Sequence, residues 1–219
     1  MTYSAQWERY LTLMEQRPKD FSNNGPLHIV TDWEIVADFQ QRTGITIGVC
    51  YESKYRLLVV DLVYEKEGDY FPYERILPAT APGAVVCVPR CGDRLILLKQ
   101  YRHALREYQY AFPRGFAEPA ISGEDNARKE LWEEMGCHAA AVEFLGATVA
   151  DSGLSGEQVG IYLCSIDSWK ENTDHEGIVA TRSVSFAELS QMIANGEITD
   201  GYTLSAVSYL LCRKKQDIS

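Results

Sequence analysis

Glu130, Glu133 and Glu134 stand at spacings i, i+3 and i+4 within a run, Asp125 to Met135, whose other residues favour a helix. At about 100° of rotation per residue, the three side chains fall within an arc of about 100°, so their oxygens can converge on one point. Like charges at that spacing repel by roughly 0.2–0.5 kcal/mol per pair. A divalent cation reverses the sign of that interaction, and hard oxygen donors on a rigid helix suit Mg²⁺, Mn²⁺ or Ca²⁺, whereas zinc prefers His and Cys. Ala127, Leu131 and Met135 form an apolar stripe beside the carboxylates, so the helix is expected to pack on a core. The competing reading is the ordinary solvated face of an amphipathic helix.

The surroundings favour the metal. Pro113-Arg114-Gly115 is expected to break the strand-like run Tyr108 to Phe112 and open a glycine loop. Ser122, with Asp125 three residues on, reads as an N-cap with a capping-box partner, and Gly136 reads as the C-terminal stop. Lys129, four residues before Glu133, is placed to orient that carboxylate as an ion pair.

In this segment the chain resembles the Nudix hydrolase family, whose signature runs glycine, five residues, glutamate, seven residues, arginine-glutamate-aliphatic, one residue, two glutamates, one residue, glycine. Gly115, Glu130, Leu131, Glu133, Glu134 and Gly136 match it in register without gaps. Two positions depart: Ile121 stands at the family's first glutamate, and Lys129 at its arginine. The resemblance implies an α/β fold, the α/β/α Nudix sandwich around a mixed sheet. It also implies that Glu130, Glu133 and Glu134 bind Mg²⁺ or Mn²⁺ and that Gly115 opens the metal loop. Lys129 keeps the charge but loses the planar fork with which arginine grips a carboxylate. Ile121 removes a carboxylate, leaving open the number of metal ions and whether the side chain packs instead.

Beyond the signature, the chain is similar to the ADP-ribose pyrophosphatase type from about Ile45 onward. The carrying residues are Leu98-Lys99-Gln100-Tyr101-Arg102, Phe112-Pro113-Arg114-Gly115, Ser152-Gly153-Leu154-Ser155-Gly156-Glu157 and Gly196-Glu197-Ile198-Thr199-Asp200. The likeness implies hydrolysis of a nucleoside diphosphate linked to another moiety, ADP-ribose or a nucleotide sugar, to AMP and a sugar phosphate. Glu133 and Glu157 are the residues expected to act in catalysis, Glu157 as the proton acceptor, with Asp151 a competitor and a plain loop carboxylate the alternative. Arg102 and Arg114 are candidate phosphate-binding or carboxylate-orienting groups, or else surface salt bridges. Tyr70, Phe71 and Tyr73 either stack a base or pack a sheet. Two other functions stay open, a different pyrophosphate as substrate and a nucleotide sensor without catalysis.

A chain of 219 residues with 46% apolar and 24% charged residues can bury one sizeable core and a smaller one. The formal charge of −10 disfavours nucleic acid and anionic membrane as partners. No apolar run reaches the roughly 18 residues of a membrane span, and residues 1–20 lack a signal-peptide layout, so a cytoplasmic protein is expected. Cys50, Cys87, Cys91, Cys137, Cys164 and Cys212 form no CxxC pair and read as reduced core residues.

Two sections are expected, 1–80 and 81–219, joined at a small-residue and proline hinge, Ala79 to Gly83. The first holds helices over Ala5–Gln16 and Trp33–Thr43 and an antiparallel sheet of Ile45–Tyr51, Arg56–Glu65 and Tyr70–Leu77. Such a sheet has too little apolar area to stand alone, so it is expected to pack on the main domain or on a second copy in a homodimer. The second section holds strands at Ala84–Pro89, Leu95–Tyr101, Tyr108–Phe112, Val142–Ala150, Val159–Ser165 and Ile178–Ser183. Helices at Phe186–Asn195 and Leu204–Cys212 end it.

Overall fold

The structure, a computed structural model, describes residues 4–79, 83–118, 120–170 and 176–216. Of the expected hinge, residues 80–82 lie outside the described residues. The chain forms two compact units, residues 1–80 with 151–157, and residues 81–150 with 158–219.

In the first unit, helix α1 (Ala5–Gln16) starts at Ser4, whose hydroxyl accepts from the Trp7 N–H, and α2 (Trp33–Thr43) lies between Asp32 as N-cap and Gly44 at φ +73°. The strands are β1 (His28–Ile29), β2 (Gly48–Glu52), β3 (Arg56–Tyr64) and β4 (Tyr70–Pro78). β3 is central. It pairs antiparallel with β4 over its whole length, from Arg56 opposite Pro78 to Tyr64 opposite Tyr70, and takes β2 and β1 along successive stretches. The β2 strand begins later than the apolar run suggests, because the Ile47 N–H is taken by the Gln40 side chain at 2.8 Å. The two-residue β1 and a 3₁₀ turn over Pro18–Phe21 carry no sequence pattern long enough to announce them.

This unit has its own core, centred on Trp7, Tyr10, Leu13, Val36, Leu57 and Leu62. The buried carboxylate Asp61 is satisfied by the Tyr10 hydroxyl and by Arg75, whose Nε lies 2.5 Å from Asp61 Oδ2. Residues 151–157 join the unit through the Ile76 N–H to the Leu154 carbonyl (2.8 Å), the Tyr73 hydroxyl to the Gly153 carbonyl (2.9 Å) and an Arg56–Glu157 ion pair (3.0 Å).

The second unit contains β5 (Ala84–Cys91), β6 (Arg94–Arg102), β7 (Glu107–Ala111), β8 (Arg114–Phe116), α3 (Gly123–Met135), β9 (Ala139–Thr148), β10 (Val159–Ile166), β11 (Ile178–Val184), α4 (Phe186–Ala194) and α5 (Gly201–Gln216). Its sheet runs β11-β6-β5-β10-β9, with β7 added to β6 and β8 to β5. The β5–β10 pairing is parallel and the others are antiparallel, so the sheet is mixed. Alternation along the strands builds two cores. Val85, Cys87, Ile96, Leu98, Tyr162 and Cys164 face α3, whereas Val86, Val88, Leu95, Leu97, Ile161 and Leu163 face α4 and α5. Helices on both faces of a mixed sheet make the α/β/α sandwich.

Three expectations need correction. Pro113-Arg114-Gly115 does not simply open a loop, because Arg114–Phe116 pairs with β5 as a short strand. The last helix begins at Gly201, since Asp200 caps it by accepting from the Thr203 N–H and hydroxyl. Of the cysteines, all unbridged, Cys87, Cys137 and Cys164 are core residues, but Cys50 and Cys212 are exposed.

Candidate metal and phosphate site

Helix α3 sits where its ends require. The Ser122 hydroxyl accepts from the Asp125 N–H at 3.0 Å, and Gly136, in the left-handed region at φ +57°, returns its N–H to the carbonyls of Leu131 and Trp132. Ala127, Leu131 and Met135 are fully buried against the sheet. Their burial fixes the rotation of the helix and therefore the fate of each glutamate.

Glu130 and Glu134, one turn apart, are turned inward, with relative exposures of 8% and 3%. The Arg114 N–H donates to Glu134 Oε2 at 3.1 Å. Burial, reinforced by the neighbouring Glu130, pushes the Glu134 carboxyl up to about 8; burial chiefly, with Glu133 adding, pushes Glu130 up to about 7. Gly115 lies against Glu130 so closely that a Cβ there would overlap the carboxylate, which gives the signature glycine a direct steric reason.

Glu133 is different. It is exposed and pairs with Lys129 Nζ at 3.1 Å, and the same ammonium holds Glu118 at 3.1 Å. Lys129 thus acts as a clamp between the loop and the helix, giving each carboxylate a single contact rather than a fork. Among the described residues, no three His, Cys, Asp or Glu side chains converge as a metal cluster. Two buried carboxylates with raised proton affinity, offering oxygen donors only, nevertheless fit a hard divalent cation.

Arg102, at the end of β6, is half-buried. Its Nε is fully buried and has no hydrogen-bond partner among the described residues, and burial together with the neighbouring Arg114 guanidinium lowers its pKa from the usual arginine value. Arg114 Nη1 lies 2.7 Å from Asp200 Oδ1, and the guanidinium stacks over Tyr202 at 4.8 Å. Both arginines line a cavity of about 400 Å³ that also includes His103, Gln109, Thr199 and Asp200. Since Arg114 contacts Glu134 through its backbone and lines this cavity with its side chain, the two features are contiguous.

Glu157 belongs to the first unit, where Oε2 pairs with Arg56 and Oε1 is buried without a hydrogen bond among the described residues. Asp151, in the same segment, is exposed and accepts from the Gly153 N–H. Of the strand aromatics, Tyr70 packs edge-on against Tyr64, Tyr73 bonds the Gly153 carbonyl, and Phe71 is exposed. Ile121 is also exposed, so no core depends on it.

Two site residues escape sequence reasoning. Glu176 lies just before β11, and its charge is felt at Glu130, Glu134 and Arg102. No pattern around it signals this, because the chain brings it there from a distant position. Asp200, seen in the sequence only within the Gly196–Asp200 likeness, carries a further signal, an acidic residue three positions before Thr203, as an N-cap would be.

The NUDIX domain family matches residues 79–206 of this chain. Over 133 residues, covering 59% of this chain and 72% of each relative, it is 29% identical to the methanol dehydrogenase activator of Bacillus methanolicus and 27% identical to the ADP-ribose pyrophosphatase of Bacillus subtilis (strain 168). A shorter stretch of 73 residues, 33% of this chain and 39% of the relative, is 38% identical to ADP compounds hydrolase NudE of Escherichia coli (strain K12). A crystal structure of an ADP compounds hydrolase shares the fold, with a TM-score of 0.69 at 21% identity over 79% of this chain and 94% of that one. With its glutamate helix, its signature glycine seated on Glu130 and its α/β/α sandwich, this chain belongs to the Nudix family and is a pyrophosphohydrolase.

Proposed function

We propose that the protein hydrolyses the pyrophosphate of a nucleoside diphosphate joined to a second moiety, ADP-ribose or a related nucleotide sugar, giving AMP and a sugar phosphate. The observation that carries this reading is the contiguity of two buried carboxylates with a cavity lined by two guanidiniums. Anionic phosphates need cationic partners, and the names of the Bacillus subtilis and Escherichia coli relatives point to ADP compounds.

Glu130 and Glu134, with Glu133 beside them, would hold Mg²⁺ or Mn²⁺. When bound, such an ion supplies charge neutralisation at the phosphates and lowers the pKa of a coordinated water. The chain's own groups do the rest. The Arg114 N–H fixes one oxygen of Glu134, and Gly115 lets the backbone lie against Glu130. Arg102 brings a half-buried guanidinium to the cavity wall, where an interaction with a phosphoryl oxygen is stronger than in water. A carboxylate must accept a proton from the attacking water. Glu157 is the residue expected from sequence, and Glu176 is the one whose charge reaches the buried pair.

The test is a screen of ADP-ribose, nucleotide sugars, dinucleotides and nucleoside triphosphates with Mg²⁺ or Mn²⁺, identifying the products directly. AMP plus ribose 5-phosphate, lost on chelation, is the expected result. Turnover confined to nucleoside triphosphates would overturn the reading. In the same assay, Glu176→Gln and Glu157→Gln identify the base as the variant that loses kcat by about 10²–10⁴-fold without a matching change in KM.

A further inference from the structure

The second sheet ends on β9, which has no strand on its outer side among the described residues. Such an edge offers backbone N–H and C=O groups to any extended chain that meets it. The strand, Ala139–Thr148, carries one ionic side chain, Glu143. Phe144 is 47% exposed, and Trp132, 51% exposed, stacks on His138 at 4.5 Å where the strand begins. An uncharged edge with apolar side chains beside it is suited to strand addition. Helices from both faces of the sheet close it. Arg128 of α3 donates to the Ala139 carbonyl. From α5, the Tyr209 hydroxyl donates to the Ala147 carbonyl at 2.7 Å, and Arg213 Nη2 donates to the Phe144 carbonyl at 2.9 Å while its Nη1 pairs with Glu143. Gly146, just past a register shift in β9, lies so close under the Tyr209 ring that a Cβ there would overlap it. Three carbonyls of the edge are thereby taken by side chains, and Arg213 holds the middle of the strand by both its backbone and its one charge.

We propose that the β9 edge is a strand-pairing surface for a second copy of this chain, and that Arg213, supported by Tyr209, is the strap that holds it shut. Symmetry and charge set the occupant. Between its two register shifts β9 has a regular stretch, Ala141–Phe144, and two such strands can run antiparallel about a two-fold axis. Each face of the sheet continues into the other copy only if that axis passes through a residue, because side chains alternate along a strand. An axis through Val142 sets Val142 against itself on the α3 side and Ala141 against Glu143 on the α5 side. No carboxylate then faces another, as the two Glu143 side chains would with the axis one residue further on. The pairing needs the Phe144 end of the stretch free, and that is the end Arg213 occupies.

Arg213→Met tests this, since methionine keeps an unbranched, helix-favouring side chain and removes every donor. Light scattering of the full chain at high micromolar concentration should give this variant twice the mass that wild type shows under the same conditions. Adding Ala141→Glu, which sets a carboxylate directly opposite Glu143 of the second copy, should return the variant to the wild-type mass. In wild type, Ala141→Glu alone should change nothing. Should Arg213→Met fail to fold, Arg213→Gln, too short to reach both Glu143 and the Phe144 carbonyl, is judged in the same way. A folded variant that keeps the wild-type mass overturns the proposal. So does association that Ala141→Glu does not reverse, because another surface is then responsible. A fall in the mass of wild type on Ala141→Glu would also overturn it, because the edge would already be paired and no strap would hold it shut.

Discussion

Two carboxylates buried one turn apart make acidity and stability a single problem for this protein. Glu130 and Glu134 hold their protons to about 7 and about 8, above the ordinary value of 4.5. A carboxyl whose pKa is raised by folding stabilises the folded state fully below its unfolded pKa and loses that contribution as pH rises through the folded value. Metal-free protein is therefore expected to melt at progressively lower temperature between pH 5 and pH 8.5, and Mg²⁺ added at pH 8 is expected to restore the loss. Glu134→Gln should flatten the pH slope and abolish metal-dependent turnover while leaving the fold intact. A melting temperature indifferent to both pH and Mg²⁺ would remove the buried pair from the metal site. The spacing of Glu130, Glu133 and Glu134 makes their common arc readable in the sequence, but not how that arc is turned toward the core. Packing of Ala127, Leu131 and Met135 decides that, and it leaves Glu133 outside with Lys129.

The loop between β8 and α3 is held at both ends by one side chain. Asn126, almost fully buried, grips both ends of the loop, accepting from the Glu118 N–H at 2.8 Å and donating to the Ser122 carbonyl at 3.1 Å. Within that grip, Ala120 is forced to φ +78°, where a Cβ is strained. Ala120→Gly is expected to stabilise the protein by about 0.5–1 kcal/mol, relief of strain partly offset by chain entropy, and to raise the melting temperature by about 1–4 °C in a calorimetric scan. A lower melting temperature would mean that the loop does not hold this conformation in solution. Ile121 beside it is exposed, so Ile121→Glu should leave stability nearly unchanged, contrary to a packing role. Helices and long strands of this fold can be read from capping residues and alternation, as Ser122 at the start of α3 shows. The three-residue β8 cannot, because its strand character comes from its partner β5 and not from its own Arg-Gly-Phe.

At the scale of the whole molecule, the first unit exposes Tyr51 on β2, Phe71 on β4 and Tyr55 in the turn between β2 and β3. A homodimer is the expected state, and light scattering at micromolar concentration checks it against the 24.7 kDa of one chain; a monomeric mass would sink the expectation. The same unit is discontinuous in sequence, since residues 151–157 complete it through Tyr73, Ile76 and Arg56. Chain order then dictates a sequence of events during synthesis. A ribosome adding roughly 5–20 residues per second releases the four strands of the first sheet well before it has made the segment that closes them. Strands β5 to β9 and the glutamate helix are made in the interval. The N-terminal unit therefore lacks the contacts of residues 151–157 until the glutamate helix has been made.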